Sequence, residues 1–226
     1  MSSEAEKEAA ARASLKYVHD GQVVGLGTGS TATIAIRLLG EQVRSGLKIR
    51  GIPTSKASHD LARQLGIPLI TFEDAQQIDV TIDGADEFDP ALNLIKGGGG
   101  ALLREKVVAS ATKLQVIVTD SSKQVQVLGK FPLPVEVIRF AAPLIAKKIS
   151  AMGARVAPRQ DATGKPYLTD EGNHILDCHF GHIPDPAALS RTLSDMPGIV
   201  EHGLFVGLAS VVLMAKAGAV EEFERS

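Results

Sequence analysis

The stretch KGGGGALLREK, Lys96 to Lys106, brings together a lysine, four consecutive glycines and a glutamate at the start of a helical pattern. Glycine loses more backbone entropy on folding than any other residue, so an ordered tetraglycine must be compensated. A loop without side chains exposes its backbone N–H groups, and at a helix start they form a concavity that favours an anion. Glu105 lies at the start of that helix. A base that removes a carbon-bound proton needs help for the enolate-like oxygen that results, and the loop beside Glu105 is able to give it. The combination points to proton abstraction beside a carbonyl. The plainer reading is a solvated surface glutamate flanked by Arg104 and Lys106.

Two further motifs carry chemistry. GLGTGST, Gly25 to Thr31, follows a strand pattern and opens a helix, and Thr28, Ser30 and Thr31 add hydroxyl donors to the outward-pointing amides. That suits a phosphate. No lysine follows the last glycine, as a P-loop would require, and Ser30 stands at the third glycine position of the dinucleotide fingerprint. A purely structural strand-to-helix turn remains open. DGADEFD, Asp83 to Asp89, places Asp83 and Asp86 at a strand end with Gly84 permitting a sharp turn. The pair suits sugar hydroxyls or general acid and base work; Asx hydrogen bonds in a turn are the ordinary reading. A divalent metal is the weakest reading, since no further ligand cluster accompanies them.

The elements that must position these residues alternate. Glu4 to His19 has helical composition with Gly21 placed to stop it, and Val23 to Gly27 reads as a buried strand. Thr31 to Arg44 resumes helical spacing; Lys48 to Ile52 is strand-like, Lys56 to Leu65 helical and IPLITF a further strand. Asp79 to Ile82 is a strand, Ala101 to Ala111 a helix, and Leu114 to Asp120 a short β-branched strand. This predicts an α/β fold, a mostly parallel sheet flanked by helices, Rossmann-like in kind, with ligands outside the carboxyl ends of the strands. After GKFPLPVEV the pattern becomes strand, helix, hairpin, helix, strand, ending at GIVEHGLF. That is the order of a smaller α+β, ferredoxin-like unit. The expected division is therefore 1–128 with 203–226 as the catalytic domain, and 129–202 as an inserted domain.

The 226 residues are enough for a large core, and an apolar share of 44% with 22% charged residues is that of a globular protein. A net charge of -2 gives no basic footprint for nucleic acid. The acidic N-terminal segment lacks the charge and apolar core of a signal peptide, and no stretch approaches the roughly 18 apolar residues of a membrane span. A cytoplasmic protein without nucleic-acid or membrane partners is expected. Cys178 is the one cysteine, within DCHFGH. An extended segment turns Cys178, His179 and His182 to alternating faces, so a buried core cysteine is expected there rather than a metal ligand.

GLGTGSTA, DGADE, KGGGGALLREK, SSK at Ser121 to Lys123 and PLPVEV, in this order, resemble ribose-5-phosphate isomerase type A; EGNHILD and PGIVEHGLF extend the resemblance across nearly the whole chain. It implies interconversion of ribose 5-phosphate and ribulose 5-phosphate through a cis-enediolate, without a cofactor or metal. Glu105 would move the proton between C2 and C1, and Lys96 with the amides of Gly97, Gly98 and Gly99 would hold the oxyanion. Asp83 and Asp86, with Gly84 and Ala85 between them, would bind hydroxyls and assist ring opening. Thr28, Gly29, Ser30 and Thr31 would line the substrate site, with Lys123 a further contact and Lys7 a weaker phosphate candidate. The resemblance also implies a homodimer or homotetramer, with the second domain as the interface. Arg139 stands where the family is expected to have proline. Two alternatives are a non-catalytic sugar-phosphate sensor and a coenzyme A transferase, whose glutamate would form a thioester.

Overall fold

A computed structural model of the chain describes residues 3–225. The outermost residues of the expected catalytic domain, 1–2 and 226, lie outside them. The chain divides into two units: Met1–Ala85, Arg104–Lys123 and Gly207–Ser226 form the first, Asp86–Leu103 and Gln124–Val206 the second. This partition places 86–103, 124–128 and 203–206 with the second unit, whereas the sequence expectation had placed them with the catalytic domain.

In chain order the elements are α1 (Ser3–Ser14), β1 (Val23–Leu26), α2 (Ser30–Arg44), β2 (Arg50–Pro53), α3 (Lys56–Gln64), β3 (Ile78–Asp83), β4 (Glu87–Phe88), β5 (Leu94–Ile95), α4 (Leu102–Ser110) and β6 (Thr112–Asp120). There follow β7 (Leu133–Val137), α5 (Ala142–Ala151), β8 (Arg155–Pro158), β9 (His174–His179), α6 (Pro186–Ser194), β10 (Ile199–His202), β11 (Leu204–Phe205), β12 (Val211–Lys216) and β13 (Ala219–Glu224).

The first unit is built on a six-stranded sheet ordered β13-β12-β6-β3-β1-β2, parallel except for the β12–β13 hairpin. Val24, Leu26, Val80, Ile82, Val116 and Val118 alternate onto one face, where they pack with Ala35, Ile36 and Leu39 of α2 and Ala10 and Ala11 of α1. Val23, Ile52 and Ile78 point to the other face and meet Val108 of α4. Both faces are therefore covered, and each fully buried aliphatic side chain contributes roughly 1.5–3 kcal/mol. The chain leaves β1 for β2 on one side and returns to β3 on the other. The order reverses between β1 and β3, which is where such sheets bind ligands.

Two expectations fail in this unit. The first helix ends at Ser14, not His19; Leu15–Tyr17 tightens into a 3₁₀ turn and Val18 is already extended. Ser14 Oγ donates to Ala11 O at 2.7 Å, a local bond that competes with the helix. IPLITF is not a strand: it makes one parallel bridge, Gly51 to Leu69, before Thr71 N–H turns to the Asp74 carboxylate at 2.9 Å. Pro68 has no N–H with which to extend the ladder.

The second unit holds a four-stranded antiparallel sheet ordered β10-β7-β9-β8 and a three-stranded sheet ordered β11-β5-β4. The sequence β7-α5-β8-β9-α6-β10 with that strand order is the expected ferredoxin-like arrangement. Cys178 is fully buried in its core beside Val135, Leu176 and Ile145, and burial pushes its thiol up to about 12. GIVEHGLF, expected as one strand, is divided at Gly203 between the two sheets. A side chain at Gly203 would lie 2.2 Å from Lys96 O, so only glycine lets those backbones pass.

Candidate active site

The carboxyl ends of β2, β1, β3 and β6 lie along one edge of the parallel sheet and carry the candidate residues of the turns after β1, β3 and β6, while Glu105 and Lys7 lie on α4 and α1. After β1 the chain runs close to β3: Gly27 N donates to Ile82 O at 3.0 Å, and a Cβ on Gly27 would meet Asp83 Oδ1 at 2.4 Å. Gly25 is equally constrained, since its Cβ would meet the Thr81 hydroxyl. These two glycines close the β1–β3 seam. Gly29 has another role: at φ +105 and ψ 173 it caps α2 in a conformation almost confined to glycine. The first amides of that 15-residue helix thus face outward from the seam. Ser30 is exposed there, and Thr31 is buried.

Asp83 is fully buried, and its Oδ1 accepts from Thr28 N at 3.0 Å and Gly84 N at 2.8 Å. It therefore fixes the entry to α2 as well as presenting a carboxyl group at the strand end. Gly84 and Ala85 follow, half-buried. Sequence reasoning missed two neighbours: the Thr28 hydroxyl lies 2.7 Å from Thr54 Oγ1 and donates to Ser55 Oγ at 2.8 Å. Ser55 caps α3, its side chain accepting from Ser58 N at 3.0 Å. A Thr-Ser pair at a strand-to-helix turn, matching Thr28 in its place after β1, was the available signal. Lys123 closes the 3₁₀ turn after β6, half-buried, in a loop tied down by Ser121 Oγ donating to Glu6 at 3.0 Å. Lys7, the weaker phosphate candidate, lies 3.6 Å from Glu4. Glu105 is buried in the first turn of α4, with 4% of its surface exposed. It is not the solvated surface glutamate of the plainer reading.

The second unit holds the rest. Asp86 Oδ2 accepts from Gly98 N at 2.7 Å, and a Cβ on Gly98 would press to 2.6 Å from Asp86 Oδ1. Of the amides expected to face an oxyanion, that of Gly98 is therefore already engaged by Asp86. Gly97, at φ +100, and Gly100, at φ +81, reverse the chain, with Gly100 N donating to Gly97 O at 3.0 Å. Gly98 and Gly99 are exposed at the tip. Lys96 is buried to 2% exposure with its ammonium 5.5 Å from the centre of the Phe205 ring. Glu87, the last acid of DGADE, belongs to the framework: its carboxylate accepts from Gly129 N at 2.8 Å and Phe131 N at 2.5 Å. Arg139 is exposed, its Nε donating to Gly172 O at 2.8 Å, away from all of these residues in sequence and role.

The family described as Ribose 5-phosphate isomerase A (phosphoriboisomerase A) matches residues 50–219. A ribose-5-phosphate isomerase A of Methylorubrum extorquens is 51% identical, the match covering 96% of this chain and 94% of that one. Its counterpart in Nitrobacter hamburgensis is 50% identical over 97% of both. Among solved structures, a D-ribose-5-phosphate isomerase in complex with phospho-erythronic acid superposes with a TM-score of 0.97 at 39% identity, covering 100% of both chains. The ribose 5-phosphate isomerase A of Methanocaldococcus jannaschii gives 0.94 at 40% identity, covering 99% of this chain and 100% of that one. Neither a sugar-phosphate sensor nor a coenzyme A transferase is supported by these relatives.

Proposed function

The chain belongs to the ribose 5-phosphate isomerase A family and interconverts D-ribose 5-phosphate and D-ribulose 5-phosphate, and we propose that Glu105 moves the proton on which the reaction turns. The observation that carries this assignment is a glutamate with 4% exposure in the first turn of a helix, nine residues after a lysine with 2% exposure on the same glycine-rich stretch. Burying charged groups is costly, and such groups concentrate at functional sites.

In the aldose the C2 hydrogen lies beside the C1 carbonyl. The Glu105 carboxylate takes it, the electron pair of the C–H bond becomes the C1–C2 double bond, and negative charge gathers on O1. Lys96 and the glycine-run amides that Asp86 does not hold stabilise that oxyanion. The hydroxyl proton passes from O2 to O1, Glu105 returns its proton to C1, and the carbonyl now stands at C2. Before this the furanose must open, which requires a proton to leave the O1 hydroxyl and one to reach the ring oxygen; Asp83 and Asp86 serve there. Neither step calls on a cofactor. A positioned carboxylate supplies about 10²–10⁴-fold, so much of the acceleration rests on the oxyanion donors.

The first amides of α2 with Ser30 and Thr31, and Lys123, bind the rest of the phosphorylated sugar. The phospho-erythronic acid in the solved relative, a phosphorylated sugar acid with a carboxylate at its reacting end, fits this reading. The enzyme acts in the cytoplasm, in the non-oxidative pentose phosphate pathway, as a homodimer or homotetramer. Support for the assembly comes from the smaller unit, where Phe140 is 94%, Leu144 54% and Ile138 43% exposed.

The test is ribulose 5-phosphate formation by the purified, metal-chelated protein beside Glu105→Gln. Ketose from the wild type and its near loss in the variant, with sugar-phosphate binding kept, is the expected result. Unchanged turnover in Glu105→Gln would sink the assignment.

A further inference from the structure

Arg159, just after β8, is used by none of the steps above, yet its guanidinium is the most constrained in the second unit. Its Nε and Nη2 donate to the two oxygens of Asp177 at 3.0 and 2.5 Å, and only 13% of its side chain is exposed. The remaining nitrogen, Nη1, donates to Gly97 O at 2.8 Å and to Gly98 O at 3.2 Å. The Arg159 backbone is itself held, its N–H donating to Ile175 O at 2.8 Å and its carbonyl accepting from Tyr167 N at 2.9 Å. Tyr167 then reaches the same loop, its hydroxyl donating to Gly99 O at 3.4 Å.

A trans peptide sets its C=O and N–H on opposite sides. Holding the carbonyls of Gly97 and Gly98 toward Arg159 therefore turns the amides of Gly98 and Gly99 away from it. The Gly98 amide meets Asp86, and that of Gly99 has no hydrogen-bond partner among the described residues. A tetraglycine has no side chains to choose among the many orientations open to it, and a cation fixed by a carboxylate supplies that choice. We propose that Arg159, aligned by Asp177, is a positioning residue of the isomerisation: it fixes the glycine run so that the Gly99 amide is offered to the developing oxyanion. The inference rests on the isomerase reading above. A lysine is a poor replacement, since one ammonium cannot span both carboxylate oxygens and two carbonyls in a planar fork.

A merely structural Arg159–Asp177 pair would tie β8 to β9 and affect thermal stability alone. The test compares wild type, Arg159→Lys and Arg159→Ala, all checked for folding by circular dichroism, in steady-state isomerisation and in binding of phospho-erythronic acid. Misaligned donors are expected to lower kcat about a hundredfold with little change in KM. Phospho-erythronic acid should weaken in parallel with kcat/KM, and added guanidinium ion should restore part of the turnover of Arg159→Ala. Unchanged kcat in folded Arg159→Lys and Arg159→Ala, or a loss confined to KM, overturns the proposal. A wild type that makes no ribulose 5-phosphate overturns the isomerase reading instead, so the two failures are distinguishable.

Discussion

Both units present backbone amides, and they hold them in different ways. In the first, the amides are those of α2, aligned by 15 residues of regular helix and capped by a glycine at φ +105. In the second, they belong to a four-glycine run with no regular structure of its own, braced by Asp86 on one side and by Arg159 and Tyr167 on the other. A helix N-terminus is suited to a dianionic group that keeps its charge throughout, such as a phosphate. A braced loop can place single donors where charge appears only in the transition state, which is what raises turnover rather than affinity.

The largest effect expected from breaking this contrast is at Gly98. A Cβ there would sit 2.6 Å from Asp86 Oδ1, so Gly98→Ala must displace either the loop or the carboxylate. We expect kcat to fall about 10²–10³-fold, as for the loss of one oxyanion donor, with the fold intact by circular dichroism. Turnover close to wild type would show that the loop need not be held in place. Gly27→Ala attacks the other region, driving a methyl to 2.4 Å from Asp83 Oδ1 and 2.5 Å from Ile82 O in the sheet. Here stability should suffer, by about 1–3 kcal/mol in urea unfolding, because the obstruction is packed backbone and a buried carboxylate.

A smaller effect separates the units by pH. Asp79 in the first accepts from Val23 N at 2.9 Å and from Lys113 at 2.9 Å, which hold its carboxyl below the usual range. It adds stability above its unfolded value of about 3.8 that is lost as pH falls through the folded one. Glu136 in the second is buried, and desolvation raises it despite donors from Asn173 and Thr169, both at 2.9 Å. Its unfolded form releases the proton first, so stability should decline as pH rises from about 4.5 through the raised folded value. Glu136→Gln should flatten that decline and leave the acid limb unchanged. Identical pH–stability curves for wild type and Glu136→Gln would contradict the assignment.

Much of this was legible in the residues. Short continuous apolar runs such as VVGL and the β-branched stretch Leu114 to Asp120 announced the parallel sheet, and the proline-bounded change after Gly129 announced the second fold. The local motifs pointed to proton abstraction beside a carbonyl with plainer readings left open, and it was their order along the chain that carried the resemblance to a family. What stayed hidden was long-range. Nothing near GLGTGST says that two of its glycines are shaped by Thr81 and Asp83, some 56 residues on, as Gly25→Thr81 and Gly27→Asp83 contacts require. Arg159 lies 62 positions from the carbonyl it holds. IPLITF failed for a different reason, since its apolar pattern was right for burial but Pro68 removed the donor that a strand needs.

The most direct test of the central claim follows the proton itself. Ribose 5-phosphate carrying deuterium at C2 would be incubated in ordinary water with wild type and with Glu105→Gln, and the label at C2 followed by NMR. Wild type should remove it, while Glu105→Gln retains it with phospho-erythronic acid still bound normally. Loss of the label at the wild-type rate in Glu105→Gln would show that another group is the base.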